Sequence, residues 1–385
     1  MENSQNYDLI IRQGTIFESN PKDTSQIQER VADIAVFKGK ISRIDSSIPE
    51  KADHEINGKG LHILPGIIDS QVHFRDPGAP HKEDFSSGTK SAILGGVTAV
   101  FDMPNTKPNT STKERYLEKL ETVKPKAYCD FALFVGATNT NSQELATLEN
   151  LEGCCGIKIF MGSSTGDLLV SEDEFLEKVL RSGKKTIAVH CEDEETLIAR
   201  KHIAEEKAHP VAHPEWRSTE SALKATQRIV SLANKVGRKI HTLHITTADE
   251  MAFLKDNKKN VTVEILPQHM FFSSPDCYEK LGTYAQMNPP IRSKEHQEAI
   301  KKALQEGIVD VIGSDHAPHT KEEKDQTYPQ SPSGLPGVQT IVPIMLNFVN
   351  DGLLSLEHFI KLMSINPARI YLSLIHISEP TRRTP

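Results

Sequence analysis

The sequence predicts an α/β protein, a (β/α)8 TIM-type barrel with a small β-sheet accessory domain formed by the N-terminus. Three observations carry this prediction. From Leu64-Pro65-Gly66 onward, apolar strand, loop and amphipathic helix repeat in that order. Residues able to bind a metal or move a proton stand at the C-terminal ends of several of these strands, where barrels of this type place their active sites. A chain of 385 residues also suffices for one full barrel plus a small extra domain.

The first sixty residues alternate short β-rich runs with turns: Asp8 to Ile11, Ile34 to Phe37 ahead of Lys38-Gly39-Lys40, and Ile41 to Ile44. These predict strands of a small sheet, so residues 1–63 are assigned to the accessory domain and 64–371 to the barrel. Barrel strands are expected near Ile67 to His73, Thr98 to Asp102, Phe131 to Val135, Gly156 to Phe160, Thr186 to His190, Ile240 to His244, Val261 to Ile265 and Val309 to Ile312. Eight parallel strands with intervening helices imply closure into a barrel rather than an open sheet. Ser171, with Glu174 three residues on, resembles a capping box. The Gly- and Pro-rich stretch 327–337 predicts a loop over the pocket, with a lid and a solvated connection as equal readings. Leu372 to Arg382 looks like a translated sequencing-library adapter, so 372–385 reads as a non-native tail on a C-terminally truncated chain, and His376 is set aside as a ligand.

Composition points to small-molecule chemistry. A quarter of the residues are charged, the net charge is -7 and the signs are interspersed, so no basic patch favours nucleic acid or a membrane surface. The N-terminus lacks a charged segment followed by an apolar one, and no apolar run reaches the roughly 20 residues needed to span a bilayer. A cytoplasmic protein is expected, with a small-molecule substrate and a homodimer as the one assembly considered. The five cysteines include the neighbours Cys154 and Cys155 and have no Cys-x-x-Cys spacing, so they read as small buried apolar residues.

The chemistry is concentrated at strand ends. Side chains alternate along a strand, so Gln71 and His73 are expected to point together into the barrel mouth with Asp69 behind them. An imidazole is a good zinc ligand and a neutral amide oxygen a weak one. Lys158, in Gly-Ile-Lys-Ile-Phe, binds no cation as an ammonium with a pKa of about 10.4. Burial favours its neutral amine, which can add carbon dioxide to give a bridging carbamate; the alternative is an ordinary lysine paired with Asp315 or a substrate anion. His190 and His244 each end an apolar run, and strand alternation turns His241 to the other face. Asp315, in Gly-Ser-Asp-His-Ala-Pro-His, is placed to touch a metal, to take a proton from its water, and to return that proton to a leaving nitrogen.

In these motifs the chain resembles the cyclic amidohydrolases of the amidohydrolase superfamily, and among them the dihydroorotases. The resemblance runs from about Tyr7 to Tyr371 and rests on Pro65-Gly-Ile-Ile-Asp69, His73-Phe-Arg75, Gly95-Gly-Val-Thr98, Asp102-Met-Pro-Asn-Thr106, Met287-Asn-Pro-Pro-Ile-Arg292 and Ser314-Asp-His-Ala-Pro-His319. It implies two metals sharing a carbamylated Lys158, one held by a His-x-His pair and Asp315, the other by His190 and His244. Gln71 stands where the first histidine of that pair belongs, so the first site is expected to be weak or empty, giving one or two zinc ions per chain. A Gln-Val-His-Phe-Arg form also resembles one bacterial branch, so the substitution is compatible with activity.

The resemblance further implies substrate contacts from Arg75, Asn105, Asn288 and His319. Arg75 would pair with the carboxylate of the ring; its alternative is an ion pair with Asp76 or Glu83. The expected reaction is reversible hydrolysis of (S)-dihydroorotate to N-carbamoyl-L-aspartate in pyrimidine biosynthesis. An allantoinase- or dihydropyrimidinase-like activity and a non-catalytic homologue are the alternatives. The resemblance also implies that the accessory sheet lacks its C-terminal half.

Overall fold

The structure is a computed structural model that describes residues 6–20, 23–162 and 168–371. The chain divides into two compact units between Gly66 and Ile67. The tail at 372–385, with His376, lies outside the described residues.

The first unit is a five-stranded sheet among the described residues: β1 (Tyr7–Asn20), β2 (Asp23–Phe37), β3 (Lys40–Asp45), β4 (Ala52–Asn57) and β5 (His62–Ile63). Their order is β3-β2-β1-β4, with β5 also on β1. The sequence predicts three short strands here, yet β1 and β2 form one long antiparallel ladder from Leu9↔Val36 to Asn20↔Asp23. Its far end, beyond Phe17, is mainly polar and is held across the strands by the pair Arg30–Glu18 at 2.7 Å, which hydrophobic patterning does not flag. Tyr7, Ile10, Ala35 and Ile48 form one core cluster of the sheet, and Ile16, Ala32 and Ile34 form another. Arg12 ties Asp33, Glu55 and the carbonyl of Glu50 together.

The second unit is the barrel. Its strands are β6 (Ile67–Val72), β7 (Val97–Asp102), β8 (Asp130–Gly136), β9 (Cys154–Phe160), β10 (Ile187–His190), β11 (Ile240–Thr242), β12 (Val261–Ile265) and β13 (Val311–Ile312). They lie in sequence order and pair in parallel. Val72 bridges His316, and the His73 amide donates to the His316 carbonyl at 2.7 Å, joining the last strand end to the first. Helices with side-chain caps return the chain between strands. Asp84 caps Phe85–Leu94, Ser218 caps Thr219–Val236, and Thr247 with Glu250 forms a capping box on Ala248–Asp256.

The capping box expected at Ser171 is absent. Helix Asp173–Leu180 starts one residue later than that box requires, so Glu172 is its N-cap and forms no side-chain bond, while Arg228 binds the Ser171 carbonyl and Asp173. All five cysteines are free thiols, four of them buried and Cys129 half-buried. Burial pushes Cys154 up to about 11, away from thiolate chemistry. Among the described residues no helix is long and apolar enough to cross a membrane.

Candidate active site

The C-terminal ends of the barrel strands open into a cavity of about 330 Å³ lined by Gln71, His73, Arg75, Asn105, Lys158, His190, His244, Asn288, Asp315 and His319. All the residues singled out from the sequence as ligands, catalyst or substrate contacts therefore meet in one place. Phe160, Gly162, Ala317, Pro332, Ser333 and Gly334 complete the lining and were not foreseen individually.

β6 delivers the first group. A buried ion pair, Lys119–Asp102 at 2.6 Å, sits beside it, and Asp102 accepts from the Phe74 amide at 2.9 Å, fixing the backbone that carries His73 and Arg75. Asp69, one level down, accepts from the amides of Gln71 and Ser314 and so links β6 to the end of β13. Burial pushes Asp69 up to about 7. His73 Nε2 lies 3.1 Å from Asp315 Oδ1, and Gln71 Nε2 donates to the same oxygen at 2.9 Å. Gln71 Oε1 is buried without a hydrogen-bond partner.

Lys158 is fully buried, its Nζ has no hydrogen-bond partner, and it sits 4.5 Å from the centre of the Phe160 ring. The ion pair with Asp315 that was one reading of this lysine is not formed. Burial lowers Lys158 to about 7, which leaves a substantial share of neutral amine at neutral pH.

His190 and His244 face each other, Nδ1 to Nε2 at 3.1 Å. Glu192 accepts from His190 Nε2 at 2.8 Å and is gripped by the buried Arg217. Burial alone would raise Glu192, but Arg217 and His190 outweigh it and hold it low. His190 thus carries its proton on Nε2, and its Nδ1 accepts from His244 Nε2. Burial lowers both histidines, His244 the more because His190 lies beside it.

β11 ends at Thr242, and His244 reaches the cavity through a left-handed turn with φ of 37°. This turn, and not strand alternation, therefore sets its direction. His241 shares a register row with Ala188 and Lys158, is fully buried, and bonds Thr262 at 2.7 Å instead of lining the cavity. Asp315 is also left-handed, with φ of 47°. Two non-glycine residues held in that region at one site mark a backbone over-determined by its surroundings.

Arg75 donates from Nε to the Pro318 carbonyl at 3.0 Å, and its Nη2 lies 3.3 Å from His319. Burial pulls its pKa below the usual value. Its two acidic chain neighbours are engaged elsewhere, Asp76 by Lys126 and Glu83 by His316 at 2.7 Å, so the structural ion pair considered for Arg75 is not formed. Asn105 accepts from His73 Nδ1 at 2.6 Å through Oδ1, which leaves its amide hydrogens free. His319, lowered to about 4 chiefly by burial, is neutral at physiological pH and bonds the Ser333 carbonyl.

The stretch 327–337 is not a solvated connection. Tyr328, Ser331 and Leu335 are buried, and Pro332 to Gly334 form one wall of the cavity. Lys324 donates from its buried ammonium to the carbonyls of Gln286, Pro332 and Gly334. Gly334 has φ of 147°, and a Cβ there would meet the Ala317 carbonyl oxygen at 2.3 Å.

The amidohydrolase family model matches residues 62–373. The chain belongs to the amidohydrolase family. Among the relatives of this amidohydrolase, the dihydroorotase of Methanosarcina mazei is 34% identical over 88% of this chain and 77% of its own. That of Pyrococcus furiosus is 36% identical over 88% and 74%. An L-hydantoinase (dihydropyrimidinase) from Arthrobacter aurescens is similar in structure, with a TM-score of 0.87, 28% identity, and coverage of 95% and 82%. The amidohydrolase is thus a hydrolase of the cyclic-amide type.

Among the described residues no three His, Cys, Asp or Glu side chains are arranged to hold a metal by themselves. The cavity of the amidohydrolase instead offers two pairs, His190 with His244 and His73 with Asp315. A proton shared between His190 Nδ1 and His244 Nε2 occupies lone pairs that a cation would take. Each pair lacks a further anionic donor, and Lys158, buried with an unpartnered nitrogen, is the residue that a carbamate would convert into one. The donor set therefore fits a divalent cation.

Proposed function

We propose that the protein is a dihydroorotase, hydrolysing (S)-dihydroorotate reversibly to N-carbamoyl-L-aspartate as a step of pyrimidine biosynthesis. The observation that carries this reading is Arg75, a guanidinium at the cavity whose acidic neighbours are both engaged elsewhere. A ring carboxylate supplies the missing anion, and a guanidinium receives it with two parallel hydrogen bonds. The dihydroorotase relatives support the same choice.

Arg75 binds the carboxylate, while the free amide hydrogens of Asn105 and Asn288 and the neutral His319 fix the ring. Zinc, held by His190 and His244 with a carbamate on Lys158, and more weakly by His73 and Asp315 with Gln71, would polarise the amide carbonyl and acidify a water. Asp315 takes the proton from the attacking water and returns it to the ring nitrogen as the amide bond breaks. In the reverse direction the same carboxylate accepts the nitrogen proton. Glu192 holds the His190 tautomer throughout.

The likeness to an L-hydantoinase favours a second reading, a hydantoinase-type activity on rings without a carboxylate. Comparison of kcat/KM on dihydroorotate, hydantoin, allantoin and dihydrouracil, with zinc and bicarbonate present, separates the two. Dihydroorotate is expected to lead. A chain that prefers hydantoin or dihydrouracil is not a dihydroorotase, and folded, zinc-loaded protein inert on all four would be a non-catalytic homologue.

A further inference from the structure

His213 belongs to none of the motifs above and lies outside the lining of the cavity. It is fully buried, boxed by the rings of Trp216, Tyr278 and Tyr328 at 5.7 to 6.4 Å between centroids. Its Nε2 lies 3.0 Å from both the Met287 carbonyl and Asn288 Oδ1, and its Nδ1 lies 3.2 Å from the Tyr328 hydroxyl. A carbonyl only accepts, so the ring proton must reside on Nε2. Nδ1 is then an acceptor, and the Tyr328 hydroxyl donates to it.

The chain of bonds has one direction: Tyr328 O–H to His213 Nδ1, and His213 Nε2–H to Asn288 Oδ1. The Asn288 oxygen is thereby occupied from behind, and both Nδ2 hydrogens are left for the cavity that Asn288 lines. A freely rotating amide would present its oxygen to a ligand as readily as its nitrogen. We infer that His213 is a positioning residue that, backed by Tyr328, locks Asn288 as a hydrogen-bond donor toward a ring carbonyl of the substrate. This rests on the reading of the cavity as a cyclic-amide site. It makes the wall selective for an acceptor, and it ties the amide to the segment 327–337 through Tyr328.

The test is a double-mutant cycle in the full chain, with His213→Leu, Asn288→Ala and the pair, read as kcat and KM on dihydroorotate and on hydantoin. Each single variant is expected to raise KM about tenfold, the effect of one lost hydrogen bond, with kcat within about threefold of the parent. The pair should be no worse than Asn288→Ala, because His213 acts only through that amide. An unchanged KM in folded His213→Leu, or effects that multiply in the pair, overturns the inference.

Should His213→Leu fail to fold, Asn288→Asp decides. That variant keeps an acceptor for His213 but turns an anionic oxygen to the cavity, so its KM should exceed that of Asn288→Ala; a KM at or below the Ala value sinks the assignment. A ring carbonyl is common to both substrates. Loss of dihydroorotate turnover alone therefore counts against the dihydroorotase reading and leaves the cycle decisive on hydantoin.

Discussion

On the proposed reading substrate choice turns on Arg75, a guanidinium that forms no ion pair with Asp76 or Glu83, its acidic chain neighbours. Replacing Arg75 by Met keeps most of its apolar stem and removes two charge-assisted hydrogen bonds, each worth about 1.5–3 kcal/mol. The expected outcome is a rise of about 150-fold or more in KM for dihydroorotate, with hydantoin turnover little changed; equal losses on both substrates would show that Arg75 does not read the carboxylate. Gln71 offers a second test. Its amide already spends Nε2 on Asp315 while Oε1 goes unpartnered, so Gln71→His should exchange a poor donor for a good one and raise zinc content per chain, measured by elemental analysis after dialysis. Unchanged zinc would mean that His73 and Asp315 do not form a site. These residues were legible because each sits in a short motif at a strand end. His213 was not, since its meaning lies in partners 75 and 115 residues away, and no local pattern announces them. Glu192 and Arg217 were hidden for the same reason, 25 residues apart.

At the scale of elements, the apolar runs located all eight barrel strands, because buried parallel strands read as continuous Val, Ile and Leu. Their ends were less legible. β11 stops at Thr242, and what aims His244 is a left-handed backbone that hydrophobicity does not encode. The 327–337 segment was open between two readings because the residue that anchors it, Lys324, precedes it and is charged, whereas burial of such a side chain is exceptional. Burial lowers Lys324 to about 8. A base with a depressed pKa is charged below that value and neutral above it, so below about pH 8 three N–H groups meet three carbonyls, and above it one is lost. KM should therefore be flat up to about pH 8 and rise beyond it. In Lys324→Met the KM should already be raised and should lack the rise near pH 8, keeping only the change that Lys158 causes in both proteins. His319, at about 4, and Glu323, held low against its burial by Lys82, do not titrate there. Lys158, at about 7, does, and the variant serves as its control. An equal rise in parent and variant would remove Lys324 from the account.

For the molecule as a whole, the proposed zinc site would link cation binding to the stability of the fold through Lys158. Its buried nitrogen lacks a partner, an arrangement that costs about 1–3 kcal/mol for a polar group left unsatisfied. A carbamate that binds zinc converts this liability into a ligand, and zinc at a hundred times its dissociation constant adds about 2.7 kcal/mol to the folded state. For a barrel of this size that corresponds to roughly 5 °C in Tm. Stripping with EDTA should lower the melting temperature of the parent by about that amount, and zinc with bicarbonate should restore it. Lys158→Met places an apolar chain of similar length where a neutral amine stood, so its apo form should melt no lower than the apo parent. It should lose its response to bicarbonate and most of its response to EDTA, because His190 and His244 alone lack the anionic third donor and the His73–Asp315 position is the weaker one. An EDTA shift as large in Lys158→Met as in the parent would mean that the cation is held without the lysine. Lys158 would then be a buried amine balanced only by the field of Asp315 and Glu264, and the carbamate would have no place in the mechanism.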